Sequence, residues 1–430
     1  MAKEQTVRVL IVNTSEKTGG AAVAANRLMC ALNNYGVKAK MLVRDKQSDT
    51  LTVADLPKPA HYGLQFLWER FIIYLHLRLS RKYLFEIDIA NAGTDITRLP
   101  EFIEADIIHL HWINQGMLSL NNIRNILKSG KPVVWTMHDV WPATAICHYT
   151  RSCQRFKTSC RHCPLLPGGG GERDLAAKVW QRKQNMLSAG SVCFVACSHW
   201  LENEAKRSAL IRGHHITSVP NPIDTHIYKL QDKIEARRQT GLPQGKRVVL
   251  FVSQRVTDKR KGMSYFTAAI NQLAERHPKW RTDMVVAILG GHAEEVTSEL
   301  SIEAYPLGYV NSDQRIVQVY NSADVFVLPS MEDNLPNTIM EAMACGVPCV
   351  GFRVGGIPEM IDHQRNGYVA EAGNTADLAN GIDWVLEQTE TETLRANAVK
   401  KVLTAYSQQS VATRYIEVYN QALAYKHYKI

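Results

Sequence analysis

The sequence predicts an α/β protein made of two parallel sheets in series, each covered by helices. Apolar strand-like runs alternate with amphipathic segments along the chain, which is typical of that arrangement. A polar stretch from Pro220 to Pro243 interrupts the alternation once. The chain has 430 residues, 45% of them hydrophobic and 21% charged, and this length allows two domains that each bury a core.

The predicted strands are short apolar runs bounded by polar or turn residues. In the first half of the chain they are residues 7–12, 39–43, 107–110, 133–137, 193–197 and 216–219. In the second half they are residues 247–253, 285–289, 325–328 and 348–352. We therefore place the domain junction within residues 221–245. Ligands of such sheets bind beyond the carboxyl ends of the strands, so site residues are sought there.

Composition restricts the class of protein and its partners. No run of 18 or more apolar residues is found, and the N-terminus leads into a strand without a signal peptide, so a cytoplasmic protein is expected. The nine cysteines are then expected to be reduced unless they bind metal. The formal charge of +9 favours acidic partners such as nucleotide diphosphates or anionic lipid headgroups. Nucleic acid is disfavoured because the basic residues are dispersed and no recognisable nucleic-acid-binding motif is found.

The most informative segment is residues 330–348, which contains Glu-Asp-Asn-Leu-Pro-Asn-Thr followed by Ile-Met-Glu-Ala-Met-Ala-Cys-Gly-Val-Pro. It predicts a strand end, an acidic loop and a helix whose first residue is Pro336. The first N–H groups of that helix can bind an anion or a sugar oxygen. Asp333 and Glu341 lie eight residues apart across the turn, and Glu341 is placed to accept from ribose hydroxyls. An ordinary strand-loop-helix unit with solvated acids is the alternative.

This segment resembles the donor-site signature of the family 4 glycosyltransferases, retaining enzymes of the GT-B type that use nucleotide sugars. The family pattern is an acid, seven residues, a Glu, and then Ala-Met-Ala-x-Gly-x-Pro. The chain departs from the pattern at Asp333, where many members have Glu. Its variant of the motif is most similar to the branch found in capsule, exopolysaccharide and O-antigen gene clusters.

The resemblance implies the GT-B architecture, in which two Rossmann-like domains face each other across a cleft. Residues 1–222 would then form the acceptor-side domain, with a cysteine-rich insertion at residues 147–163. Residues 223–409 would form the nucleotide-sugar-binding domain. The helix in residues 410–430 is expected to cross back and pack on the N-terminal domain.

Residues that follow predicted strands in the first half match site positions of the family. Gly19 and Gly20 open a helix, where glycine lets a ligand approach and helix N–H groups can bind the donor phosphate, although a turn would use the pair equally well. The resemblance assigns His138, which lies beside an acid, to the active site, whereas a lone His is more often structural. His111 shares a strand face with His109 and is a candidate for shaping the acceptor pocket.

Basic residues after the first strand of the second half match the family's diphosphate clamp. By resemblance Arg255 and Lys261 bind the donor pyrophosphate, where fixed cations stabilise the charge that develops on the leaving group. Lys259 and Arg260 are expected to be solvated, and a wholly solvated basic loop is the alternative reading. With this clamp supplied by the protein, no metal cofactor is required for catalysis.

The remaining donor contacts are also implied by the resemblance. Glu341 is expected to hold the ribose of the nucleotide. The base is expected to lie against Tyr309 and Val310, a position where backbone contacts would say little about which base is bound. The donor sugar is expected to lie near Asp333 and the amides of Asn334 and Leu335.

Four cysteines lie within seventeen residues and end in a Cys-x-x-Cys: Cys147, Cys153, Cys160 and Cys163. Such a set can close a tetrahedral thiolate site, so a structural zinc ion is predicted to hold the loop after His138. The spacing is not the double Cys-x-x-Cys of common zinc sites, and unrelated reduced thiols are the alternative. Disulfides would need an oxidising compartment, which nothing in the sequence supports.

The stretch from His61 to Phe85 combines aromatic, aliphatic and basic residues. Such a segment can lie in a membrane interface and help to capture a lipid-linked acceptor. An amphipathic helix packed on the N-terminal sheet explains the same pattern. An anionic membrane surface, at the inner face of the cytoplasmic membrane, is therefore a candidate partner.

These features together predict a cytoplasmic, retaining, metal-independent glycosyltransferase. By resemblance it moves a sugar from a UDP- or GDP-sugar to a saccharide or lipid-linked acceptor in surface-glycan assembly, and no side-chain nucleophile is assigned. A nucleotide-sugar epimerase on the same fold would need no acceptor, and the acid motif disfavours it. A non-catalytic partner in glycan assembly would be expected to lack the clamp, yet Arg255, Lys261 and Glu341 are all present.

Overall fold

The computed structural model describes residues 6–57, 62–388 and 391–427. Its contacts divide the chain into two compact units, one made of residues 1–221 and 411–430 and the other of residues 222–410. The division therefore falls at the first residue of the predicted junction. None of the described helices is both long and apolar enough to cross a membrane.

The described residues form parallel strands that alternate with helices. The strands are β1 (Arg8–Ser15), β2 (Lys38–Asp45), β3 (Val53–Asp55), β4 (Ile107–Leu110), β5 (Val133–Met137), β6 (Cys193–Ala196), β7 (His215–Ser218), β8 (Arg247–Arg255), β9 (Met284–Gly291), β10 (Ala304–Gly308), β11 (Val325–Leu328), β12 (Cys349–Phe352) and β13 (Gly367–Ala370).

The helices fill the connections between these strands. They are α1 (Gly20–Asn34), α2 (Tyr62–His76), α3 (Pro100–Glu104), α4 (Leu120–Lys128), α5 (Leu175–Leu187), α6 (His199–Arg207), α7 (Lys233–Thr240), α8 (Met263–Arg276), α9 (Trp280–Asp283), α10 (Glu294–Thr297), α11 (Asp313–Ser322), α12 (Asn337–Ala344), α13 (Ile357–Met360), α14 (Thr375–Glu387), α15 (Thr391–Ala405) and α16 (Gln408–His427). Short 3₁₀ turns add Trp141–Ala143, Arg155–Lys157, Pro167–Gly169 and Lys259–Lys261.

The first unit has a seven-stranded parallel sheet in the order β3-β2-β1-β4-β5-β6-β7. The six strands predicted for this half are confirmed, and β4 and β5 begin and end at the predicted residues. Their apolar runs are continuous because helices cover both faces of the sheet, which leaves no solvated side for polar residues. The edge strand β3 was missed because three residues are too few to give a periodic signal.

The second unit has a six-stranded parallel sheet in the order β10-β9-β8-β11-β12-β13. The predicted strands β8, β9, β11 and β12 are confirmed. The strand β13 was missed because it begins with Gly367, a residue that weakens a strand signal. Glycine is needed there, since a Cβ at Gly367 would lie 2.0 Å from Cys349 O in the neighbouring strand. The two parallel sheets confirm the α/β fold class.

Helix α16 packs on the sheet of the first unit, as expected for the last helix. It contributes four residues to the core cluster around Ile11 and Val134: Val411, Tyr415, Val418 and Tyr419. The remainder of the predicted helix, including Tyr428, lies outside the described residues.

Candidate active site

An ion-paired carboxylate lies in the acidic loop, residues 330–336, which follows β11. Asp333 Oδ2 accepts from Lys261 Nζ at 2.6 Å and from Ser330 Oγ at 3.1 Å. Arg260 Nη1 lies 4.0 Å from the same oxygen. Burial favours the protonated acid, but the charges of Lys261 and Arg260 outweigh it and lower the pKa of Asp333. The loop therefore carries a fixed negative charge next to two cations.

The two cations come from the 3₁₀ turn after β8. Asp258 caps this turn by accepting from Arg260 N at 3.0 Å. The guanidinium of Arg260 donates to Glu332 O at 3.0 Å and is half-buried. The prediction that Arg260 is solvated is therefore wrong, because the turn folds this side chain onto the acidic loop. Lys259, in contrast, is exposed as predicted.

Two glycines allow other backbone segments to pack against the acidic loop. Gly262 has φ +79°, and a Cβ there would lie 1.9 Å from Pro329 O. Gly355 has φ +54°, and a Cβ there would lie 1.7 Å from Asp333 O. At both positions a side chain would be strained by the backbone conformation and would collide with a backbone oxygen. The position of the loop thus depends on glycines outside the predicted motif.

The second acid of the motif lies on the buried side of α12. Glu341 is 8% exposed, and its Oε2 accepts from the hydroxyl of Tyr320 at 3.0 Å. The helix begins at Asn337, with Pro336 as its flanking residue rather than its first helical one. The helix therefore begins one residue later than predicted. Its first N–H groups still have no partner within the helix, as expected at a helix start.

Asn334 and Leu335 form the end of the acidic loop and are both buried. Asn334 O accepts from Gly356 N at 2.8 Å, which ties the loop to the segment before α13. These contacts fix the backbone whose amides were predicted to face the donor sugar. Their role toward the sugar stays a prediction.

Arg255 and the base-contact pair lie at the carboxyl ends of neighbouring strands. Arg255 ends β8, is exposed, and donates from Nε to Thr257 Oγ1 at 3.0 Å. Tyr309 and Val310 follow β10, and the Tyr309 ring is 58% exposed. Strands β8 and β10 both pair with β9, so these residues share one edge of the sheet with the acidic loop. The second unit thus places Arg255, Tyr309 and Val310 at the same sheet edge as the acidic loop, while Glu341 lies further along α12.

The Gly-Gly pair of the first unit opens α1 after β1. Gly19 has φ +93°, and a Cβ there would have no heavy atom within 4 Å. The backbone conformation, not lack of space, therefore explains glycine at this position. Gly20 is the first residue of the helix. The pair has the geometry of a helix start that can receive a phosphate, and that role stays a prediction.

Three histidine rings lie next to one another near the carboxyl ends of β4 and β5. His111 Nδ1 lies 2.9 Å from His138 Nε2, and His138 Nδ1 lies 3.6 Å from Cys197 Sγ. His109 contacts the hydroxyls of Thr136 and Tyr419 through its two ring nitrogens, at 2.7 and 2.8 Å. Among the described residues, His111 Nε2 has no hydrogen-bond partner. The structure therefore brings His111 and His138 together, and it places His109 in the core as a structural residue.

Burial keeps these imidazoles neutral. It lowers the pKa of His138 to about 4 and that of His109 to about 3, and it lowers the pKa of His111 as well. A neutral pair shares one proton across the 2.9 Å contact, so one ring donates and the other accepts. Both ring nitrogens of His138 are engaged, Nε2 by His111 and Nδ1 by Cys197 Sγ, so a hydrogen bond from this neutral ring to a ligand would replace one of these two contacts.

We expect the free energy of unfolding to fall as the pH is lowered from about 6.5 to about 5. In that range the unfolded chain takes up protons on His109, His111 and His138, whereas the folded protein does not, so acid favours unfolding. Two groups act in the opposite direction, Glu69, whose pKa burial raises to about 7, and His148, whose pKa is raised to about 10, but they are two groups against three. Thermal midpoints measured at pH 7 and pH 5 test whether stability falls with pH. The difference between the two midpoints should be smaller in His109→Gln than in the wild type. An equal difference in that variant would contradict the assignment.

Sequence reasoning missed His148, which joins two buried carboxylates beside this site. Its Nδ1 lies 2.7 Å from Asp139 Oδ2 and its Nε2 lies 2.6 Å from Asp88 Oδ2. Burial disfavours the charged ring, but the two carboxylates outweigh it and raise the pKa of His148 to about 10. The residue lies in the cysteine-rich loop between β5 and β6. A single His in such a loop is a weak signal, because its partners Asp139 and Asp88 lie 9 and 60 residues away in the sequence.

The four predicted zinc ligands line one cavity of about 660 Å³. Burial raises the pKa of Cys147 and Cys160 to about 12 and that of Cys163 to about 11. Among the described residues, no group of three or more His, Cys, Asp or Glu side chains is arranged to hold a metal ion. The thiols of Cys147, Cys153, Cys160 and Cys163 thus share one cavity, and a zinc ion bound there stays a prediction.

Comparison with known proteins places this geometry in a family. The model of "Glycosyltransferase Family 4" matches residues 18–227, and the model of "Glycosyl transferases group 1" matches residues 246–388. An uncharacterized glycosyltransferase of Methanocaldococcus jannaschii is 34% identical over 45% of this chain and 50% of its own length. The N-acetyl-alpha-D-glucosaminyl L-malate synthase of Bacillus anthracis is 26% identical over 53% of this chain and 59% of its own length. The chain thus spans about half the length of the curated relatives it matches.

Solved structures share the fold over nearly the full chain. The HepE protein of Anabaena, in complex with UDP and glucose, is similar with a TM-score of 0.63 at 17% sequence identity. The similarity covers 96% of this chain and 100% of that one. At this identity the comparison establishes a shared two-domain α/β fold.

Proposed function

We propose that this glycosyltransferase, which matches two family models, is a family 4 enzyme that transfers a sugar, with retention, from a nucleotide diphosphate sugar to a lipid-linked surface glycan. The observation that carries the proposal is the acidic loop. Lys261 and Arg260 are held beside Asp333 at the sheet edge where Arg255 also ends its strand. A cationic edge of this kind suits a diphosphate.

The donor diphosphate is bound by Arg255 and Lys261 in this proposal. When the bond between sugar and phosphate breaks, negative charge accumulates on the leaving diphosphate, and fixed cations stabilise it without reorganisation. Asp333 holds the Lys261 ammonium at 2.6 Å before any ligand binds, so the cation is already oriented. Glu341 accepts from the ribose hydroxyls of the nucleotide.

The acceptor hydroxyl attacks on the face of the sugar from which the diphosphate leaves. A phosphate oxygen of the leaving group takes the proton of that hydroxyl, so no side-chain base is required. Because attack on the same face already retains the configuration, no side-chain nucleophile is required either. His138 contributes a neutral hydrogen bond to the sugar or acceptor by exchanging its contact of 3.6 Å with Cys197 Sγ, while His111 holds its other ring nitrogen at 2.9 Å. The reaction needs no metal ion for the departure of the diphosphate, because the protein supplies the cations.

A panel of UDP-, GDP-, ADP- and dTDP-sugars tests the donor by thermal shift. A donor at about 100 times its dissociation constant should stabilise the protein by roughly 2.7 kcal/mol. The Arg255→Ala/Lys261→Ala variant should lose the shift, whereas Lys259→Ala, which changes an exposed lysine of the same turn, should keep it. The absence of a shift with every donor would favour a non-catalytic partner in glycan assembly. Turnover of the donor without an acceptor, with epimerised product, would favour an epimerase.

The lipid-linked acceptor is proposed because α2 exposes an apolar face. Leu64, Leu67, Trp68 and Phe71 are between 51% and 60% exposed, and Leu75 continues the same face at 47%. They are spaced three or four residues apart and so form one stripe on the helix. Elsewhere in the predicted stretch Ile73 and Leu77 are buried, and His61 lies outside the described residues.

The charged residues of α2 face inward instead. Glu69 and Arg70 are 0% and 5% exposed, and Arg70 pairs with the buried Asp88. The helix thus buries Glu69 and Arg70 together with Ile73, which belongs to the core, and it also leaves an apolar stripe exposed. The alternative, an amphipathic helix packed on the N-terminal sheet, accounts for Ile73 but not for the exposed stripe.

The surface next to the stripe is basic. Arg78, Arg81 and Lys82 are all exposed, and no acidic residue is exposed between positions 63 and 82. Aliphatic and aromatic side chains flanked by cations match an anionic bilayer, in which the apolar groups enter the headgroup region and the cations meet phosphates. The proposed occupant of this face is therefore the anionic inner surface of the cytoplasmic membrane.

We expect the protein to sediment with vesicles of phosphatidylglycerol and phosphatidylcholine more than with phosphatidylcholine alone. The Leu67→Ser/Phe71→Ser variant should bind the vesicles at least about tenfold more weakly, because each apolar side chain contributes roughly 1.5–3 kcal/mol on burial. Ile234→Ser/Leu403→Ser removes two exposed apolar residues of the second unit and should leave binding unchanged. Equal binding of all three proteins would refute a membrane role for α2.

A further inference from the structure

A buried chain of polar side chains connects α2 to the turn that carries His138. Arg70 on α2 donates to Asp88 Oδ1, and Asp88 Oδ2 lies 2.6 Å from His148 Nε2. His148 Nδ1 continues the chain to Asp139 Oδ2 at 2.7 Å. Asp139 is the residue after His138, so the chain ends at the candidate active site.

Asp139 is the point on which the surrounding groups converge. Its Oδ2 accepts from Trp112 Nε1 at 3.2 Å, and its Oδ1 accepts from Trp141 N at 2.9 Å. The backbone of His148 is tied to the same turn, because its carbonyl accepts from Val140 N at 3.2 Å. His148 therefore holds the turn after β5 by its side chain and by its main chain.

We propose that His148 is a positioning residue for the reaction, which fixes Asp139 and with it the turn that presents His138 and the Trp112 indole. This inference rests on the proposed function for the role of His138. The cysteine-rich segment that begins at Cys147 thereby gains a function apart from metal binding: it delivers His148 to the acid beside the site. Its contact with Asp88 anchors the ring from the side of α2.

Asn and Gln variants separate the two ends of His148. The amide nitrogen of Asn lies near the place of Nδ1, so His148→Asn can still donate to Asp139 but not to Asp88. The amide nitrogen of Gln lies near the place of Nε2, so His148→Gln can still donate to Asp88 but not to Asp139. Both variants remove the same ring and leave the same buried carboxylates, so they serve as matched controls for packing.

We expect His148→Gln to lower kcat by about tenfold or more with KM for the donor within about twofold, and His148→Asn to recover most of the kcat. The donor is the nucleotide sugar that shifts the wild type in the panel above. Hydrogen exchange of the Trp112 indole N–H, followed by NMR, should accelerate by about tenfold in His148→Gln only, because that proton is bonded to Asp139.

The exposed His162 of the same segment, which lies 3.0 Å from Glu172, supplies the control His162→Asn, which should match the wild type in both measurements. Equal losses of kcat in the Asn and Gln variants, or unchanged Trp112 exchange in His148→Gln, would overturn the positioning role. The exchange measurement needs no donor, so its failure is distinct from a failure of the proposed transfer reaction.

Discussion

Lys261→Ala is expected to lower kcat with the donor sugar by about 100- to 1,000-fold. The ammonium is the cation closest to Asp333, at 2.6 Å, and in the proposed reaction it meets the charge that develops on the leaving diphosphate. Removal of one preorganised group that stabilises such charge costs roughly 2.7–4 kcal/mol of transition-state free energy. Steady-state kinetics that separate kcat from KM measure the effect, because a group that acts mainly in the transition state changes kcat.

Two variants make this expectation specific. Lys259→Ala removes an exposed lysine of the same 3₁₀ turn and should keep kcat within about threefold of the wild type. Lys261→Ala also leaves the partly buried Asp333 with only Arg260 at 4.0 Å, so Lys261→Ala/Asp333→Asn controls for the unpaired carboxylate. If the double variant regained wild-type kcat, the lysine would serve only to neutralise the acid.

Gly355→Ala is expected to destabilise the second unit by about 3 kcal/mol or more and to abolish the donor-induced thermal shift. The residue has φ +54°, and a Cβ would lie 1.7 Å from Asp333 O, a backbone atom that cannot move aside cheaply. The acidic loop must then shift, and its bond from Gly356 N to Asn334 O at 2.8 Å breaks. Thermal unfolding and hydrogen exchange across residues 330–336 measure the two consequences.

Gly373→Ala separates backbone strain from collision. Gly373 has φ +76° in the same unit, but a Cβ there would have its nearest neighbours at 3.9 Å. This variant should cost only the roughly 1–3 kcal/mol of an alanine in the left-handed region and should keep the donor-induced shift. Equal behaviour of the two alanine variants would mean that the contact with Asp333 has no bearing on the site.

The strands were predictable because the sheet is buried on both faces, so each strand appears in the sequence as an uninterrupted apolar run. The pair Asp333 and Glu341 could be found for a related reason: strand, loop and helix are consecutive, so the acids keep a fixed spacing. Arg260 shows the limit of such reasoning. Arg260 is next to Lys259 in the sequence, yet the fold of the turn leaves Lys259 exposed and half-buries Arg260.

The orientation of helix α2 could not be predicted from its sequence either. Its sequence predicts an amphipathic segment but does not say which face meets the sheet. Hydrophobicity alone would turn Trp68 and Phe71 inward, yet the structure buries Glu69 and Arg70, because Asp88 and the backbone of residues 84–90 offer them partners. A buried charge is tolerated only where such partners exist, and they come from another part of the chain.

The α/β class, most of the strands and the donor motif could be predicted, because they depend on apolar runs and on spacing between near neighbours in the sequence. The ion pair of Lys261 with Asp333, the inward charges of α2 and the contacts from Asp88 through His148 to Asp139 depend on how the chain folds. These contacts join residues that are 72, 18, 60 and 9 positions apart. Contacts between residues this far apart depend on how each sheet brings the ends of its strands together. They cannot be predicted from a local sequence pattern.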